Sequence, residues 1–445
     1  MKRFVLFNSP IDWDFKAEQE QYLSPLGLGY IATYLEKNGI DVEVVDCVKE
    51  QKSVAEVIEF INTKDIDYIG INIFTLNYKI VKYIFENIKT KCTCFIGGQV
   101  VKNIYKEILE WNVKNELNII IGDGEFIIPA LVLGNCTQKP EEQYGQKKVY
   151  RVNNTSKYFP QDISGIYLNR KYLGDEVICN HYGQKEIAII TSRGCMFDCA
   201  FCGGARSLNK DTKIRIRTPE SVKREIEDIL SVYTDIRSIR VLDDLFLRDE
   251  KSIDMANNIF CNFPQLSWRG MVHALSLVNS LDKVKNLRNG NCKELFMGIE
   301  SGSERIRKQI NKLGSVDEIL KVATEIMRNG IDLKGYFIYG FPKENRDDFQ
   351  KTFELALKLK EISRTTKGIF RTSVFQFKPY HGTKLYNDIM AETGIIHEYE
   401  INDSINKFEG RVQFNFDSGN YSAESNKLLS KFIVKTQRIG RYDEN

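Results

Sequence analysis

A chain of 445 residues is too long for one ordinary hydrophobic core, so its length predicts two or three domains. The composition, 42% hydrophobic and 28% charged, is typical of a folded globular protein and excludes large-scale disorder. The 63 Lys and Arg residues nearly balance the 60 Asp and Glu residues, and a formal charge of +3 provides no general attraction to nucleic acid or to anionic membranes.

The amino-terminal segment MKRFVLFNSPIDWDF does not resemble a signal peptide, because its apolar run is only four residues long. No stretch approaches the roughly 18 consecutive apolar residues of a membrane-spanning helix. We therefore expect a cytoplasmic protein that binds neither membrane nor nucleic acid. In that compartment, ten cysteines favour reduced thiols, some of them free to bind metal, over a disulfide framework.

Residues 1–135 alternate short apolar runs with stretches that carry apolar residues every three or four positions. This alternation predicts an α/β domain with a doubly wound parallel sheet of the Rossmann-like type, which would bind ligands at the carboxyl edge of its strands. The predicted strands are Phe4–Phe7, Val42–Val45, Tyr68–Ile73, Cys94–Ile96 and Asn118–Ile121, and the predicted helices are Leu28–Lys37, Val54–Asn62, Tyr78–Lys89 and Ile104–Trp111.

Residues 136–185 lose this periodicity and predict a partly structured linker. The alternation resumes over residues 186–385, where about six strand–helix units predict a full or partial (β/α) barrel. Residues 386–445 are a C-terminal extension without a recognisable pattern. The predicted strands are Ile187–Thr191, Ser238–Leu242, Leu266–Val272, Leu295–Ile299, Gly335–Tyr339 and Thr372–Phe377, and the predicted helices are Pro219–Val232, Ser252–Phe260, Val316–Asn329 and Asp347–Leu359.

Three cysteines, Cys195, Cys199 and Cys202, follow the first strand of the predicted barrel with the spacing Cys-x3-Cys-x2-Cys. A loop with this spacing can hold three corners of a [4Fe–4S] cluster and leave the fourth iron open to an outside ligand. One alternative is a zinc site, although no fourth Cys or His lies nearby in the sequence; the other is three unrelated cysteines.

The segment from Arg193 to Cys202, RGCMFDCAFC, resembles the signature loop of the radical S-adenosylmethionine (SAM) superfamily. The resemblance implies that the methionine part of SAM binds the fourth iron, and that an electron from the cluster cleaves SAM to a 5′-deoxyadenosyl radical. Phe201, the aromatic residue before the third cysteine, is then expected near the adenine. Ordinary loop packing is the alternative for this side chain.

Further segments of the barrel resemble the same superfamily. The segment GIESG is similar to its fourth-strand segment, which implies that Glu300, Ser301 and Gly302 contact SAM unless the loop merely caps the following helix. Asp243 and Asp244 end another predicted strand. These two carboxylates could accept a proton or bind substrate. Alternatively, they could bond to Arg215, Arg217 or backbone groups at the barrel rim.

The first domain resembles the cobalamin-binding domain that precedes the radical barrel in one subfamily. The likeness lies in a Pro-Leu-Gly segment before the first helix, a Gly-Gly turn, and a Gly-Asp-Gly-Glu turn where the subfamily has Gly-Glu-Gly-Glu. No histidine lies in this domain to ligate cobalt, and a domain that keeps the fold without the cofactor is the alternative. The resemblance implies cobalamin contacts at Ser24, Pro25, Leu26, Gly27, Thr75, Gly97, Gly98, Gln99, Gly122, Gly124 and Glu125.

These resemblances together imply a cobalamin-dependent radical SAM methyltransferase, which acts on an unactivated carbon through a 5′-deoxyadenosyl radical and methylcobalamin. One alternative is a radical SAM enzyme without methyl transfer, which would catalyse cyclisation, rearrangement or epimerisation. Another is a non-catalytic iron–sulfur module. The expected partners are a small-molecule or peptide substrate and a reducing protein such as flavodoxin or ferredoxin. Bulky side chains at Gly98 or Gly124 are expected to block cobalamin.

Overall fold

The computed structural model describes residues 2–11, 22–396, 400–401, 416–417 and 419–440. Within this part of the chain, two seven-stranded sheets carry helices that bury their apolar faces against them. No helix in the described ranges is both long enough and apolar enough to span a bilayer.

The first sheet has the strand order β2-β1-β3-β4-β5-β7-β6, and all its neighbouring strands are parallel except the β6–β7 pair. Chain order reverses between β1 and β3, which makes this point of the carboxyl edge the expected ligand site of a doubly wound sheet. The strands are β1 (Arg3–Asn8), β2 (Asp41–Asp46), β3 (Tyr68–Asn72), β4 (Thr93–Gly97), β5 (Glu116–Gly122), β6 (Glu142–Tyr144) and β7 (Lys147–Val152), and the helices are α1 (Leu26–Lys37), α2 (Val54–Thr63), α3 (Tyr78–Glu86), α4 (Val101–Glu110) and α5 (Ile127–Leu133).

The five predicted strands and four predicted helices of this sheet are present, and the doubly wound fold is confirmed. Helix α5 was not predicted, because its sequence IIPALVL is apolar throughout and has no helical period. Strands β6 and β7 lie within the predicted linker and extend the first sheet. We therefore propose that the first structural unit ends near Val152, later than residue 135.

The second sheet has the order β16-β15-β14-β13-β12-β9-β8, with six parallel strands and an antiparallel edge strand β8. Its end strands do not pair with each other in the described residues, so the sheet is a partial barrel. Its strands are β8 (Ile178–Cys179), β9 (Lys185–Ile189), β12 (Ser238–Val241), β13 (Ser267–Val272), β14 (Cys292–Glu300), β15 (Asp332–Tyr339) and β16 (Phe370–Gln376), and two small antiparallel pairs are β10 (Ser192–Arg193) with β11 (Arg215–Ile216) and β17 (Glu400–Ile401) with β18 (Phe416–Asp417).

The helices around the second sheet follow the predicted pattern, with additional short helices between the strands. Thr218 caps the first of them through a hydrogen bond to the Ser221 amide, and Pro219 occupies the first turn, as the sequence predicts. These helices are α6 (Pro219–Val232), α7 (Glu250–Phe260), α8 (Ala274–Leu277), α9 (Val284–Asn289), α10 (Glu304–Gln309), α11 (Val316–Arg328), α12 (Arg346–Ser363), α13 (Lys384–Thr393) and α14 (Asn426–Ile439).

Helix α14 makes the C-terminal extension part of the barrel. Phe432 is buried against Phe349 of α12, with ring centroids 5.5 Å apart. The Thr436 hydroxyl lies 2.8 Å from the Tyr339 hydroxyl of β15. The extension therefore covers the outer face of the last two strands.

Candidate active site

Two cavities meet where the carboxyl edges of the two sheets face each other. The first-sheet cavity, about 510 Å³, is lined mainly by the turns Leu23–Leu28, Ile96–Gly98 and Gly122–Glu125. The barrel cavity, about 590 Å³, is lined by barrel strands and by the loop around Phe201. Both cavities are lined by Phe74, Leu242 and Asp244, so ligands bound in them would be neighbours.

Most of the predicted cobalamin residues line the first-sheet cavity. Thr75 and Gln99 are the exceptions, because both line the barrel cavity instead. Small-residue turns in the walls would let a flat, bulky ligand approach the backbone closely. Apolar side chains line the rest of the cavity together with polar and charged ones such as Asn72, Arg193 and Asp244. The predicted residues that line the first-sheet cavity are Ser24, Pro25, Leu26, Gly27, Gly97, Gly98, Gly122, Gly124 and Glu125.

The glycines that line this cavity differ in what a side chain at each position would meet. Gly98 has φ 127°, and a Cβ there would lie 2.5 Å from the Ile73 carbonyl oxygen, so the turn itself requires glycine. A Cβ at Gly124 would contact only the side chains of Ile128 and Ile31. Gly27 has no neighbouring heavy atom within 4 Å of such a Cβ. A substitution at Gly98 would therefore damage the turn as well as block a ligand, while one at Gly27 would act on the cavity alone.

Arg193 joins the first-sheet cavity to the cysteine loop. Its guanidinium donates to Asp123 at 2.9 Å and lies 2.6 Å from Glu125, both in the Gly-Asp-Gly-Glu turn. Arg215 also pairs with Asp123. Because Arg193 stands two residues before Cys195, this turn and the cysteine loop are held in one ion-pair network. The Glu125 carboxylate is thereby directed to Arg193.

The three cysteines lie on one loop that follows β9. The backbone N–H of Cys202 donates to the carbonyl of Cys199 at 3.1 Å, and the Gly204 N–H lies 3.3 Å from the Cys202 sulfur. Burial raises the pKa of Cys202 to about 12 and also raises the pKa values of Cys195 and Cys199. The thiols are therefore protonated without metal, and metal binding would release their protons.

The donor set suits an iron–sulfur cluster. All three thiols are free of disulfides. Within the described ranges, no three His, Cys, Asp or Glu side chains converge closely enough to bind a single metal ion. Thiolates are the ligands that iron–sulfur clusters need, and three of them would leave one iron of a [4Fe–4S] cluster open.

The predicted SAM residues have different surroundings. Phe201 lines the barrel cavity and packs against Phe341, with centroids 5.6 Å apart. Glu300 is buried with φ 64° and accepts a hydrogen bond from Lys312 at 3.1 Å. Ser301 and Gly302 instead bond to the Thr352 hydroxyl of α12 at 3.1 and 3.0 Å, and, like Glu300, they line neither of the two cavities described above. Their placement supports the alternative, a structural loop before α10.

Lys312 was not singled out by the sequence. Burial disfavours its charge, but neighbouring Glu300 and Cys199 raise the pKa of Lys312 above its usual value. It therefore keeps a positive charge beside the cysteine loop, where an anionic cluster would need one.

Asp243 and Asp244, the two adjacent acids at the end of β12, have different surroundings. Asp243 accepts hydrogen bonds from the Thr191 amide at 2.7 Å and from the hydroxyls of Thr191 and Ser192. Asp244 accepts from the Gly194 N–H at 3.2 Å and lines both cavities. Asp243 thus positions the start of the cysteine loop, and Asp244 lies at the junction of the cavities. The arginines considered as their partners, Arg215 and Arg217, pair with Asp123 and Glu225.

His381 connects the two sheets at the barrel cavity. Its Nδ1 lies 3.1 Å from the Thr75 hydroxyl, and its carbonyl accepts from Asn103 at 2.9 Å. Burial lowers the pKa of His381 to about 4, so this imidazole is neutral at neutral pH. The contact explains why Thr75, in the loop after β3, faces the barrel cavity.

A doubly wound domain joined at its carboxyl edge to a partial barrel with an open three-cysteine loop defines a class of iron–sulfur enzymes with a second cofactor site. A model of the radical SAM superfamily matches residues 189–356, and a model of the B12 binding domain matches residues 14–132. The chain therefore carries a radical SAM domain and a B12-binding domain.

Several relatives and solved structures are similar to this chain over most of its length, including both domains. An uncharacterized methyltransferase of Pyrococcus horikoshii is 28% identical, over 82% of this chain and 78% of its own. The hopanoid C-3 methylase of Methylococcus capsulatus is 22% identical, over 87% of this chain and 72% of its own. The structure of the radical SAM methyltransferase TsrM from Kitasatospora setae matches with a TM-score of 0.66 at 15% identity, over 92% of this chain and 80% of its own. The structure of the cobalamin-dependent SAM radical enzyme OxsB matches with a TM-score of 0.63 at 15% identity, over 95% of this chain and 65% of its own.

At these identities the solved structures confirm the fold. The two family models confirm the predicted enzyme class, a radical SAM enzyme with a [4Fe–4S] cluster, SAM and cobalamin as cofactors. The individual residue contacts to these cofactors stay predictions.

Proposed function

We propose that this enzyme methylates an unactivated carbon of a substrate held in the barrel cavity. The observation that carries the proposal is the junction of the two cavities at Phe74, Leu242 and Asp244. When bound, cobalamin supplies the methyl group, and the cluster with SAM supplies the radical that removes a hydrogen atom from the substrate. A methyl transfer requires the two sites to be adjacent, as these cavities are.

The residues of this chain hold and separate the reactants. Cys195, Cys199 and Cys202 would bind three irons of the cluster as thiolates and leave the fourth iron for SAM. Phe201 forms an apolar wall between the cysteine loop and the barrel cavity. Arg193 keeps the first-sheet cavity and the cysteine loop in one geometry. The aromatic and aliphatic part of the barrel-cavity wall would hold an apolar part of the substrate in place and limit side reactions of a radical.

The proposal is tested on protein reconstituted anaerobically with iron, sulfide and hydroxocobalamin, then given SAM and a reductant. We propose a flavodoxin- or ferredoxin-type protein as the natural electron donor, and a chemical reductant serves in the assay. Chromatography should show both 5′-deoxyadenosine and S-adenosylhomocysteine, because the second product reports methyl donation. Deoxyadenosine alone, without bound cobalamin in the visible spectrum, would contradict methyl transfer and favour a radical reaction of another kind.

A further inference from the structure

Positive side chains line part of the barrel cavity. Arg240 lies on β12, Lys334 on β15, and Lys378 follows β16, and all three line this cavity. The acids that line it, Asp243 and Asp244, lie at the end of β12 beside the cysteine loop. The cavity therefore has a cationic part, with Arg240 and Lys334 within the strands and Lys378 at the carboxyl edge, and an acidic side beside the cysteine loop.

The positive charges around the cationic part outnumber the buried carboxylates nearby. Glu186 pairs with Arg269, whose guanidinium also lies 3.0 Å from Glu294. Glu294 pairs in addition with Arg371. Two carboxylates thus face two guanidiniums, and Arg240 is additional to this balanced group. His181 adds no charge, because burial lowers its pKa to about 3.

Arg240 has no directly bonded partner within the described part of the chain; burial disfavours its charge, and the nearby carboxylates of Glu186 and Glu294 favour it without forming an ion pair. Its Nε is buried without a hydrogen-bond acceptor among those residues, and none of their carboxylates forms an ion pair with it. Its guanidinium lies 5.3 Å from the Phe296 ring centroid, a contact that fixes its plane but satisfies no N–H group. An unpaired guanidinium at a cavity wall is costly unless a ligand supplies the acceptor, and its planar fork matches a carboxylate or phosphate.

The remainder of the cavity wall is largely apolar. Phe74, Leu76, Met271, Phe375 and Phe377 line it. A ligand with an anionic group and an apolar body would match both parts of the cavity at once.

We propose that the substrate is a small organic anion, whose carboxylate or phosphate group pairs with Arg240. The apolar body lies between this anchor and the junction of the two cavities, and it carries the carbon that reacts. This inference rests on the proposed function, because it takes the barrel cavity as the substrate site of that reaction.

The test uses the reconstituted holoenzyme and probes of nearly equal size that differ in charge. The affinities of 4-phenylbutyrate, 2-phenylethyl phosphate and the neutral 4-phenylbutyramide are measured by ligand-observed NMR titration. We expect at least one of the two anions to bind about tenfold more tightly than the amide, and the preferred anion identifies the group that the site recognises. Equal affinity of all three probes would overturn the inference.

Variants assign the preference to one side chain. Arg240→Gln should remove the anion preference, and Arg240→Lys should keep part of it because the charge remains. Arg237→Gln is the matched control, because Arg237 lies three residues earlier, is exposed and bonds only to nearby carbonyls. An Arg240→Gln protein that retains the wild-type anion preference would also overturn the inference.

Cofactor measurements separate this inference from the proposed function. Iron, sulfide and cobalamin contents of each protein show whether it is folded and loaded, and the two SAM products of the wild type report the proposed function. If the wild type yields both products but binds the three probes equally, methyl transfer stands and the anionic substrate is wrong. If S-adenosylhomocysteine is missing, the proposed function itself fails.

Discussion

Gly27 offers a direct test of where the corrin ring binds. It is the second residue of α1, it is exposed to the first-sheet cavity, and a Cβ there would meet no heavy atom within 4 Å. Its φ is not in the left-handed region, so any side chain fits the backbone. Gly27→Phe should therefore place a phenyl ring in the cavity without strain.

The size of the effect follows from the contact area that the ring would occupy. A phenyl ring that covers about 100 Å² of the wall withholds about 2.5 kcal/mol of apolar contact, at about 25 cal/mol per Å². Cobalamin binding should then weaken nearly a hundredfold. Gly27→Ala should bind cobalamin normally and raise the free energy of unfolding by up to about 1 kcal/mol, because glycine is unfavourable within a helix.

The assay is the visible spectrum of bound cobalamin after reconstitution and removal of the excess, titrated to obtain an affinity. Gly165→Phe is the matched control, since Gly165 is exposed, has equally open space and lines neither cavity. Circular dichroism and iron content verify folding. A folded Gly27→Phe protein with wild-type affinity would refute the assignment of cobalamin to this cavity.

Three further results are expected. Replacement of the three cluster cysteines with alanine should reduce iron from about four per chain to none, and a retained cluster in iron and sulfide analysis would contradict the assignment. Arg193→Met leaves the buried Glu125 without its partner and Asp123 with Arg215 alone, and it should lower the free energy of unfolding by about 3–5 kcal/mol in anaerobic urea titrations. Arg151→Met, which breaks a more exposed pair, should cost about 1 kcal/mol or less, and equal losses would contradict the bridging role. Burial raises the pKa of Glu344 to about 8 from 4.5, so the wild type should lose stability relative to Glu344→Gln as pH rises from 4.5 to 8, by about 1.4 kcal/mol per pH unit; a difference in Tm that does not grow over that range would contradict it.

Local sequence patterns predicted most strands and helices of both sheets and the chemistry of the cysteine loop, although they missed α5, β6 and β7. The β–α alternation depends on neighbours within a few residues, and a Pro after Thr218 marks the start of α6 in the same local way. The spacing of Cys195, Cys199 and Cys202 is likewise short-range information. These features were predictable because each depends on a contiguous segment of chain.

Tertiary structure alone decided which charges meet. Arg193 and Asp123 are 70 residues apart, and their ion pair exists because two sheets present their carboxyl edges to each other. The same long-range packing directs Ser301 to α12, a contact that a residue pattern could not reveal. Arg240 gave a weak signal as a charged residue within a buried strand, but its lack of a partner depends on several separate strands. Long-range contacts of this kind are set by the packing of whole elements, so the sequence could name the candidate residues without pairing them.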